Sequence, residues 1–311
     1  MTQDAVGQAL IQAFADQGYP VRFIGPTNVS ISLPGGSDFT ADIGEWYAEA
    51  SRIPRADLPA AAAEFAGGFA RGFRRQAAQA QAVTADIEGL LDAEALRVRI
   101  YPEAALAEPP GLRESLLTRP LAAGLVETVV IDTPDSIIPL NRRDIGDRPE
   151  SQVFGAALHA SLNREPHYTQ TEEIWGVPIT HIGETHRYVG SHVHVLGRYL
   201  GAAPYGALVS FPLPEYLVVH EIGGTHLVAA MEAMQALART HVEKGDNAIS
   251  SQLYWWRPGA YEQQPERDAL AGGQVPDLRP VGVEVDHQEK SIAPLTAETE
   301  ELLNLWMRDQ G

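Results

Sequence analysis

The chain has 311 residues, of which 44% are hydrophobic and 21% are charged, and this balance is typical of a globular protein with a buried core. Its formal net charge of −18 excludes a general nucleic-acid binder and disfavours an anionic membrane surface as partner. It contains no cysteine, which excludes disulfides, thiolate zinc sites and cysteine nucleophiles.

The ends and apolar stretches of the chain indicate its compartment. The N-terminus lacks both the positive start and the unbroken apolar run of a secretory signal. The longest apolar-rich stretches, such as 202–219, contain proline, serine or glutamate and are too polar for a transmembrane helix. We therefore expect a soluble, cytoplasmic protein.

The N-terminal segment predicts a helix followed by two short strands. Apolar side chains recur every four residues over 3–17 and Gly18 follows, which is typical of an amphipathic helix and its end. Strands are predicted at 21–24 and 29–33, and the second alternates apolar with polar residues. The proline and glycines of 34–38 predict a break in regular structure.

A second helical region begins near Asp57 and carries an aromatic stripe. Its phenylalanines recur at spacing four and predict a face turned toward the core; they are Phe65, Phe69 and Phe73. Three arginines stand toward its far end, namely Arg71, Arg74 and Arg75. Cations are favoured near a helix C-terminus, and a weaker alternative is that these arginines bind an anionic ligand.

From residue 96 onward, predicted strands alternate with single helices. The strands are 96–101, 125–131, 207–211, 216–220 and 251–256, and the helices are 150–162, 225–243 and 297–309. The turn between 207–211 and 216–220 contains Pro212 and Pro214 and is too short for a parallel crossover. We therefore predict an antiparallel pair here, packed by the 225–243 helix.

This order of elements predicts an α+β fold in which antiparallel strand pairs pack with helices, in two subdomains. The glycine motifs of dinucleotide-binding and P-loop folds do not occur. The segment 102–119, rich in proline, glutamate and alanine, indicates a boundary. We divide the chain into an N-terminal α+β region at 1–110, an α+β core at 120–258, and a loop-rich segment with a C-terminal helix at 259–311.

Histidine is concentrated in the middle of the chain, where eight of the ten lie between His159 and His226. Imidazole is the commonest zinc ligand, so a metal-dependent hydrolase is one alternative function. Its candidate ligands would be His181, His186, His192, His194, His220 and His226, and its candidate catalytic carboxylates would be Glu221, Asp132 and Asp135. The Asp-Thr-Pro-Asp-Ser segment at 132–136 is equally typical of a turn.

The spacing of these histidines disfavours a metal centre. His220-Glu221 begins like an H-E-x-x-H motif, but His226 arrives two residues late, and positions six apart on a helix are roughly opposed. His192 and His194 would share a face on a strand but diverge on a helix, and the residues after them have helical spacing. We therefore predict dispersed histidines, no bound metal and no cofactor.

Three segments together resemble a bacterial protein family. They are LVETVVIDTPDSIIPLNRRDI at 125–145, SHVHVLGRYL leading into GALVSFPLPEYLVVHEI at 191–222, and LVAAMEAMQALA followed by AISSQLYWWRPG at 227–259. In this order they are similar to the DUF1444 (YtpQ-like) family over roughly residues 120–258, although Ser161 and His194 stand where the family has Asn and Asp. That family has no established activity, so the resemblance implies an α+β fold and cytoplasmic residence, without a site residue.

The function we expect is the binding of a protein partner, as an adaptor or regulator that could neutralise a basic protein. Tryptophan and tyrosine are favoured anchors at interfaces, and the candidate binding residues are Tyr254, Trp255 and Trp256. On a strand, Tyr254 and Trp256 share one face and Trp255 takes the other. We predict that one face is core and the other is free for the partner; the alternative is that all three rings are buried.

Overall fold

The computed structural model describes residues 5–32, 38–84, 86–107, 110–133, 136–223, 227–245 and 247–308. The chain divides into two compact units, the first comprising Met1–Asp86 with Glu108–Gly111 and the second comprising Ile87–Ala107 with Leu112–Gly311. Both contain helices and antiparallel strands, so the fold is α+β as the sequence predicts. None of the described helices is both long and apolar enough to cross a membrane.

The first unit is a three-stranded antiparallel sheet, in the order β1-β2-β3, packed with helices. Its elements are α1 (Ala5–Asp16), β1 (Val21–Phe23), β2 (Asn28–Ser32), β3 (Asp38–Asp42), α2 (Gly44–Ala50) and α3 (Leu58–Thr84). The predicted first helix and first two strands are confirmed. The third strand was not predicted, because the proline and glycines that precede it mark the region as a break.

Helix α3 packs on α1 through small residues flanked by aromatic rings. The small residues are fully buried at spacing four and are Ala62, Ala66 and Ala70. The predicted stripe of Phe65, Phe69 and Phe73 flanks them and packs on the same core, with the Phe69 ring 5.8 Å from that of Phe14. The core-facing stripe is confirmed. The helix continues to Thr84, however, so the three arginines lie within it and not at its end.

The second unit begins with a sheet in the order β4-β6-β5, to which β7 is added by pairing with β6. The elements of this part are α4 (Ile87–Asp92), β4 (Leu96–Pro102), α5 (Leu112–Ser115), β5 (Thr118–Ala122), β6 (Leu125–Thr133), β7 (Ser136–Pro139) and α6 (Glu150–Asn163). Because β4 pairs with β6, the division between units lies before β4. The predicted boundary at 102–119, and with it an N-terminal region reaching residue 110, is therefore wrong.

The second sheet of this unit has six strands in the order β13-β12-β10-β11-β9-β8, and every neighbouring pair is antiparallel. The elements are β8 (Tyr168–Ile174), β9 (Val177–Gly183), β10 (Ala207–Leu213), β11 (Tyr216–Glu221), α7 (Leu227–Lys244), β12 (Leu253–Trp256), α8 (Glu266–Ala271), β13 (Leu278–Val281), β14 (Val283–Asp286), β15 (Ser291–Pro294) and α9 (Ala297–Arg308). Strands β14 and β15 form a separate hairpin.

The predicted pair at 207–220 is confirmed, since β10 and β11 are antiparallel and α7 packs against β10. The register shifts between Ser210 and Leu213, which accommodates Pro212 inside a central strand. The segment 259–311, predicted as loop-rich with a C-terminal helix, also contains α8 and β13 to β15 before the helix α9. Those strands have four residues each and are too short to show a hydrophobic period.

Two hydrophobic cores lie on the two faces of the six-stranded sheet. One contains Phe211 and Trp256 together with Ile100 of β4, so it joins this sheet to the first one. The other contains Trp255 together with Met231 of α7 and lies between the sheet and that helix. Five of the six strands, all except β8, contribute buried residues to both cores.

Candidate functional site

The aromatic run at 254–256 lies in the interior of the second unit. Tyr254 and Trp256 enter one core and Trp255 enters the other, so the predicted alternation of faces is confirmed. All three rings are buried, however, and burial raises the pKa of Tyr254 to about 12. The prediction that one face of this strand is free for a partner is wrong, because both faces of β12 are covered.

One group of the central histidines is formed by His192 and His167. Their ring centroids are 4.2 Å apart, and the Tyr199 hydroxyl lies 3.0 Å from His167 Nε2 and within hydrogen-bond distance of His192 Nδ1. Burial, with help from the neighbouring His167, His186 and Arg198, lowers the pKa of His192 to about 3. His192 is therefore a neutral, buried side chain at physiological pH.

His194 points away from His192 and joins a different group, as the helical interpretation of this segment predicts. The segment is a 3-10 helix, Val189–Arg198, with non-helical backbone at Val195. His194 Nε2 donates to Glu127 Oε1 at 2.6 Å, and its Nδ1 lies 2.7 Å from the Tyr261 hydroxyl. Arg119 Nε donates to Glu127 Oε2 at 2.6 Å. These side chains form one buried polar network.

Glu127 at the centre of that network is ionised. Burial alone would raise its pKa, but His194 and Arg119, through charge and hydrogen bonds, lower the pKa of Glu127 to about 2. Its side chain is completely buried, and a buried carboxylate is retained only when such partners compensate it. The sequence signal for it is a single glutamate inside the apolar run LVETVVI, and its role was not predicted.

A third group lies between the six-stranded sheet and α7. His181 of β9 and His241 of α7 have ring centroids 6.4 Å apart, and His241 stacks on Tyr216. His220 of β11 lies on the same face and contacts the Pro178 carbonyl oxygen through Nδ1 at 2.8 Å. Burial lowers the pKa of all three histidines.

These groups do not combine into a metal centre. Within the described ranges, no group of three or more histidine and carboxylate side chains has a geometry that could hold a metal ion. His186 contacts the Pro166 carbonyl oxygen through Nε2 at 2.7 Å, whereas His226 lies outside the described residues. The metal-dependent hydrolase therefore has no assembled site in the part of the chain that the structure describes.

The candidate catalytic carboxylates hold backbone and side-chain donors. Asp132 accepts a hydrogen bond from the Tyr188 hydroxyl at 2.6 Å, and burial together with Asp132 raises the pKa of Tyr188. Glu221 accepts the backbone N–H groups of Gly201 and Ala203 at 2.9 and 3.1 Å. Asp135 lies outside the described residues. Asp132 and Glu221 thus connect the ends of β6 and β11 to neighbouring loops by hydrogen bonds.

The predicted anion-binding arginines lie on α3 in the first unit. Arg71 and Arg74 are exposed, and Arg74 Nη2 lies 3.4 Å from the carbonyl and side-chain oxygens of Gln17, just after α1. The side chain of Arg75 lies outside the described ones. Arg74 therefore has a structural partner at the end of α1, and an anion site here stays a prediction.

The hairpin β8–β9 of the second unit has an exposed outer strand. β8 is the edge strand of the six-stranded sheet, and six of its seven residues are exposed. Its partner β9 is anchored, because Val177 and Ile179 enter the core beneath α7. The hairpin therefore consists of an exposed edge strand, β8, paired with a strand, β9, that is packed into the core.

The turn of this hairpin carries an exposed tryptophan. Trp175 and Gly176 connect the paired residues Ile174 and Val177, and both have positive φ, at +52° and +78°. Two central residues with positive φ define a type I′ turn, in which asparagine and glycine are favoured and a bulky side chain is strained. Trp175 is nevertheless 74% exposed. Trp175 contributes little buried area to the fold and strains the turn, so its ring is better explained by contact with another molecule.

The outer edge of β8 has unpaired backbone groups. In a two-residue hairpin the residues that flank the turn form a hydrogen-bonded pair, and such pairs alternate with non-hydrogen-bonded ones. Counting back from Ile174, the register places Thr169, Thr171 and Glu173 at non-hydrogen-bonded positions. Pro178, which has no N–H, stands opposite Glu173, as this register requires. The N–H and C=O groups of those three residues therefore point away from β9.

The charge along this edge is negative. Glu172 and Glu173 are exposed, and β8 contains neither lysine nor arginine nor proline. Burial, the Tyr216 hydroxyl, and the carboxylates of Glu184 and Glu172 raise the pKa of Tyr168 at the start of the strand. We call the outer edge of β8 together with Trp175 the β8 edge. The β8 edge was not predicted, and the only local signal for its turn is Gly176 between two threonine-containing runs.

Comparisons with known proteins return no match for this chain among protein-family models, curated proteins or solved structures. The resemblance of residues 120–258 to the DUF1444 family therefore stays a prediction. The candidate functional site rests on the geometry of the chain itself.

Proposed function

We propose that this protein binds a protein partner, as an adaptor or regulator, by adding an extended basic segment of that partner to the β8 edge. The observation that carries the proposal is a seven-residue edge strand with six exposed residues and unpaired backbone groups at Thr169, Thr171 and Glu173. Strand addition uses such groups for affinity and uses the alternate side chains for specificity.

Charge supports a basic partner and disfavours a second copy of the same chain. Two neighbouring glutamates, Glu172 and Glu173, would face their own copies across a pairing of two β8 edges, and like charges at that distance destabilise a sheet. A lysine- or arginine-bearing segment would find opposite charges there. The net charge of −18 would also steer such a partner toward the protein.

Trp175 supplies an anchor next to this edge. Tryptophan is enriched among the residues that dominate binding energy, because it buries a large area with few rotatable bonds. Its 74% exposure leaves most of the ring available to the partner. The proposed interface therefore combines backbone pairing along β8 with one aromatic contact at the turn.

The experiment compares two substitutions at one outward-facing position. Thr171→Pro removes the outward N–H without removing a ladder bond, whereas Thr171→Val keeps the N–H and approximates the side-chain volume. A displayed library of random peptides would be selected on the wild-type protein and measured on both variants. We expect enriched peptides rich in Lys or Arg that bind wild type and Thr171→Val, and lose at least about 100-fold in affinity on Thr171→Pro.

Amide hydrogen exchange provides the independent readout. The amides of Thr169, Thr171 and Glu173 should become protected when an enriched peptide binds, and those of the β14–β15 hairpin should not. Thermal melts would show that both Thr171 variants are folded. Equal binding by Thr171→Pro, or protection confined to another surface, would refute the proposal.

A further inference from the structure

A cavity of about 460 Å³ lies beside the buried network in the second unit. Its wall contains Arg119 and Pro120 of β5, the loop 259–262 after β12, and residues of the loop before β13. A smaller cavity of about 260 Å³ shares Tyr261 and Glu262 with it and reaches His194. Small-molecule sites have volumes of about 300–1,000 Å³, so the larger cavity could hold a metabolite.

Arg119 on this wall has unused hydrogen-bond donors. Its Nε donates to Glu127, and its guanidinium carbon lies 4.4 Å from the centroid of the Phe154 ring. Its two terminal nitrogens, Nη1 and Nη2, are buried and have no hydrogen-bond partner in the part of the chain that the structure describes. Buried donors without an acceptor are costly, and paired N–H groups of a guanidinium match the two oxygens of a carboxylate.

The acidic side chains of the wall do not use those donors. Glu262 accepts the Trp256 Nε1–H at 3.0 Å and the Gly259 N–H at 2.7 Å. Asp277 pairs with Arg279 at 3.1 Å. The cavity thus has one arginine with donors to offer and one carboxylate, that of Glu262, whose protein partners are both neutral.

The charges of the cavity wall determine which charges a ligand should carry. Glu127 already balances Arg119, and Arg279 balances Asp277, so Glu262 leaves the wall with one uncompensated negative charge. A simple anion at Arg119 would add a second one in a partly enclosed space, which is unfavourable. A ligand that brings its own positive group beside its carboxylate avoids this cost.

We propose that this cavity binds a small amino-acid-like zwitterion, with its carboxylate at the terminal nitrogens of Arg119 and its ammonium group at Glu262. The buried network acts as a positioning device, because Glu127 fixes the Arg119 guanidinium and is itself held by His194, whose other ring nitrogen lies 2.7 Å from the Tyr261 hydroxyl. The remaining volume receives the ligand side chain. This site is separate from the β8 edge and does not depend on it.

The first test titrates the full-length protein with each of the common free amino acids by calorimetry and by thermal shift. We expect at least one to bind saturably and to raise Tm. Its N-acetyl derivative lacks the ammonium charge and its amide lacks the carboxylate, and each should bind at least about tenfold more weakly. Failure of every amino acid to bind at millimolar concentration, or equal binding of both derivatives, would overturn the proposal.

Substitutions locate the site. Arg119→Lys keeps the charge but loses the paired donors, and Glu262→Gln removes the negative charge, so each should weaken binding at least about tenfold. Because a single change at Arg119 leaves Glu127 buried without its partner, the double variant Arg119→Gln/Glu127→Gln provides a second test without that charge.

Arg164→Gln is the matched control, since Arg164 is exposed and pairs with Glu94 elsewhere. It should bind the amino acid like wild type. Melting curves would identify any variant that does not fold. If the folded double variant binds the amino acid as tightly as wild type, the cavity is not its site and the proposal is wrong.

Discussion

The two edge strands of the six-stranded sheet differ in how the fold protects them. β13 has four residues, includes Pro280, and is covered by α9, whose preceding Thr296 donates to the Pro280 carbonyl oxygen at 2.8 Å. β8 has seven residues, no proline and no covering element in the described ranges. Sheets blunt their edges by such devices to prevent unwanted pairing. The same sheet protects one edge and leaves the other open, which supports a role for β8 in binding.

The first test of this contrast concerns Trp175, the exposed ring at the turn of the β8–β9 hairpin. Trp175→Asn should weaken an enriched peptide by about 2 kcal/mol, or roughly 30-fold, because an exposed aromatic anchor is lost. It should also stabilise the fold by about 0.5–1 kcal/mol, because asparagine tolerates positive φ in a type I′ turn. Calorimetry and chemical denaturation measure the two quantities.

The control for this variant is Ile24→Asn, which removes another exposed apolar side chain, in the first unit. It should leave peptide affinity unchanged. If Trp175→Asn retains full affinity, the turn does not contribute to the interface, and only the strand edge remains as a contact.

The second test weakens the contact that covers the protected edge strand, β13. Thr299 of α9 is buried and accepts the Gly282 N–H at 2.9 Å, directly after β13. Thr299→Val leaves that N–H without its partner and should lower the free energy of unfolding by about 1–3 kcal/mol. Hydrogen exchange should become faster in β13 and unchanged in β8. Thr299→Ser keeps the hydroxyl and should behave like wild type; equal losses in both variants would mean that packing, not this hydrogen bond, holds the edge.

Acid should act unequally along the sheet, because three histidines with a lowered pKa lie between α7 and strands β9 and β11, on the β8 side of the sheet. His181, His220 and His241 face Glu172, Glu221, Lys244 and Tyr216 there. Burial lowers their pKa in the folded state, so the unfolded chain binds protons more readily. Their contribution to stability is complete above the unfolded pKa, near 6.5, and is lost as pH falls below it.

We expect Tm to fall by several degrees between pH 7 and pH 5, with exchange in β9 and β11 accelerating before that in β12 and β13. His241→Gln should reduce this pH dependence. His159→Gln, at an exposed position, should leave it intact. Uniform acceleration along all strands after correction for intrinsic rates would contradict the assignment of acid sensitivity to this group.

The smallest effect concerns charge at the open edge. Glu172→Gln/Glu173→Gln should slow the association of a basic peptide severalfold at low salt and change dissociation less. The matched control is Glu284→Gln on the exposed face of β14. The difference between the two should shrink as salt rises, since exposed charges are screened over about 8–10 Å at physiological ionic strength. An unchanged association rate would mean that pairing along β8 is not electrostatically assisted.

Much of the interior could be predicted from the sequence. Strands β6, β10 and β11 are apolar runs bounded by turn residues, and α7 shows the spacing of an amphipathic helix, so local pattern determines them. The divergence of His192 from His194 also followed from helical spacing. These elements bury one or both faces. Because buried positions are apolar, their spacing along the sequence shows the period of the helix or strand.

The open edge could not be found in the same way. β8 reads YTQTEEI, and because almost none of it is buried, it has no apolar alternation to detect. The pairing of β4 with β6 and the approach of Tyr261 to His194 join segments far apart in the chain. The burial of all three rings at 254–256 likewise depends on helices α7 and α9 covering a face that local pattern left open.

Strand β9, which lies beside the exposed β8, is partly buried. This burial determines how the loss of conformational entropy on binding is divided between the protein and its partner. Val177 and Ile179 pack into the core, so the strand that carries β8 is already ordered before any partner arrives. The protein then loses little freedom on binding, and the incoming segment bears almost the whole cost of becoming extended. Partner segments already biased toward extended backbone, through β-branched residues, should therefore bind most tightly and dissociate most slowly.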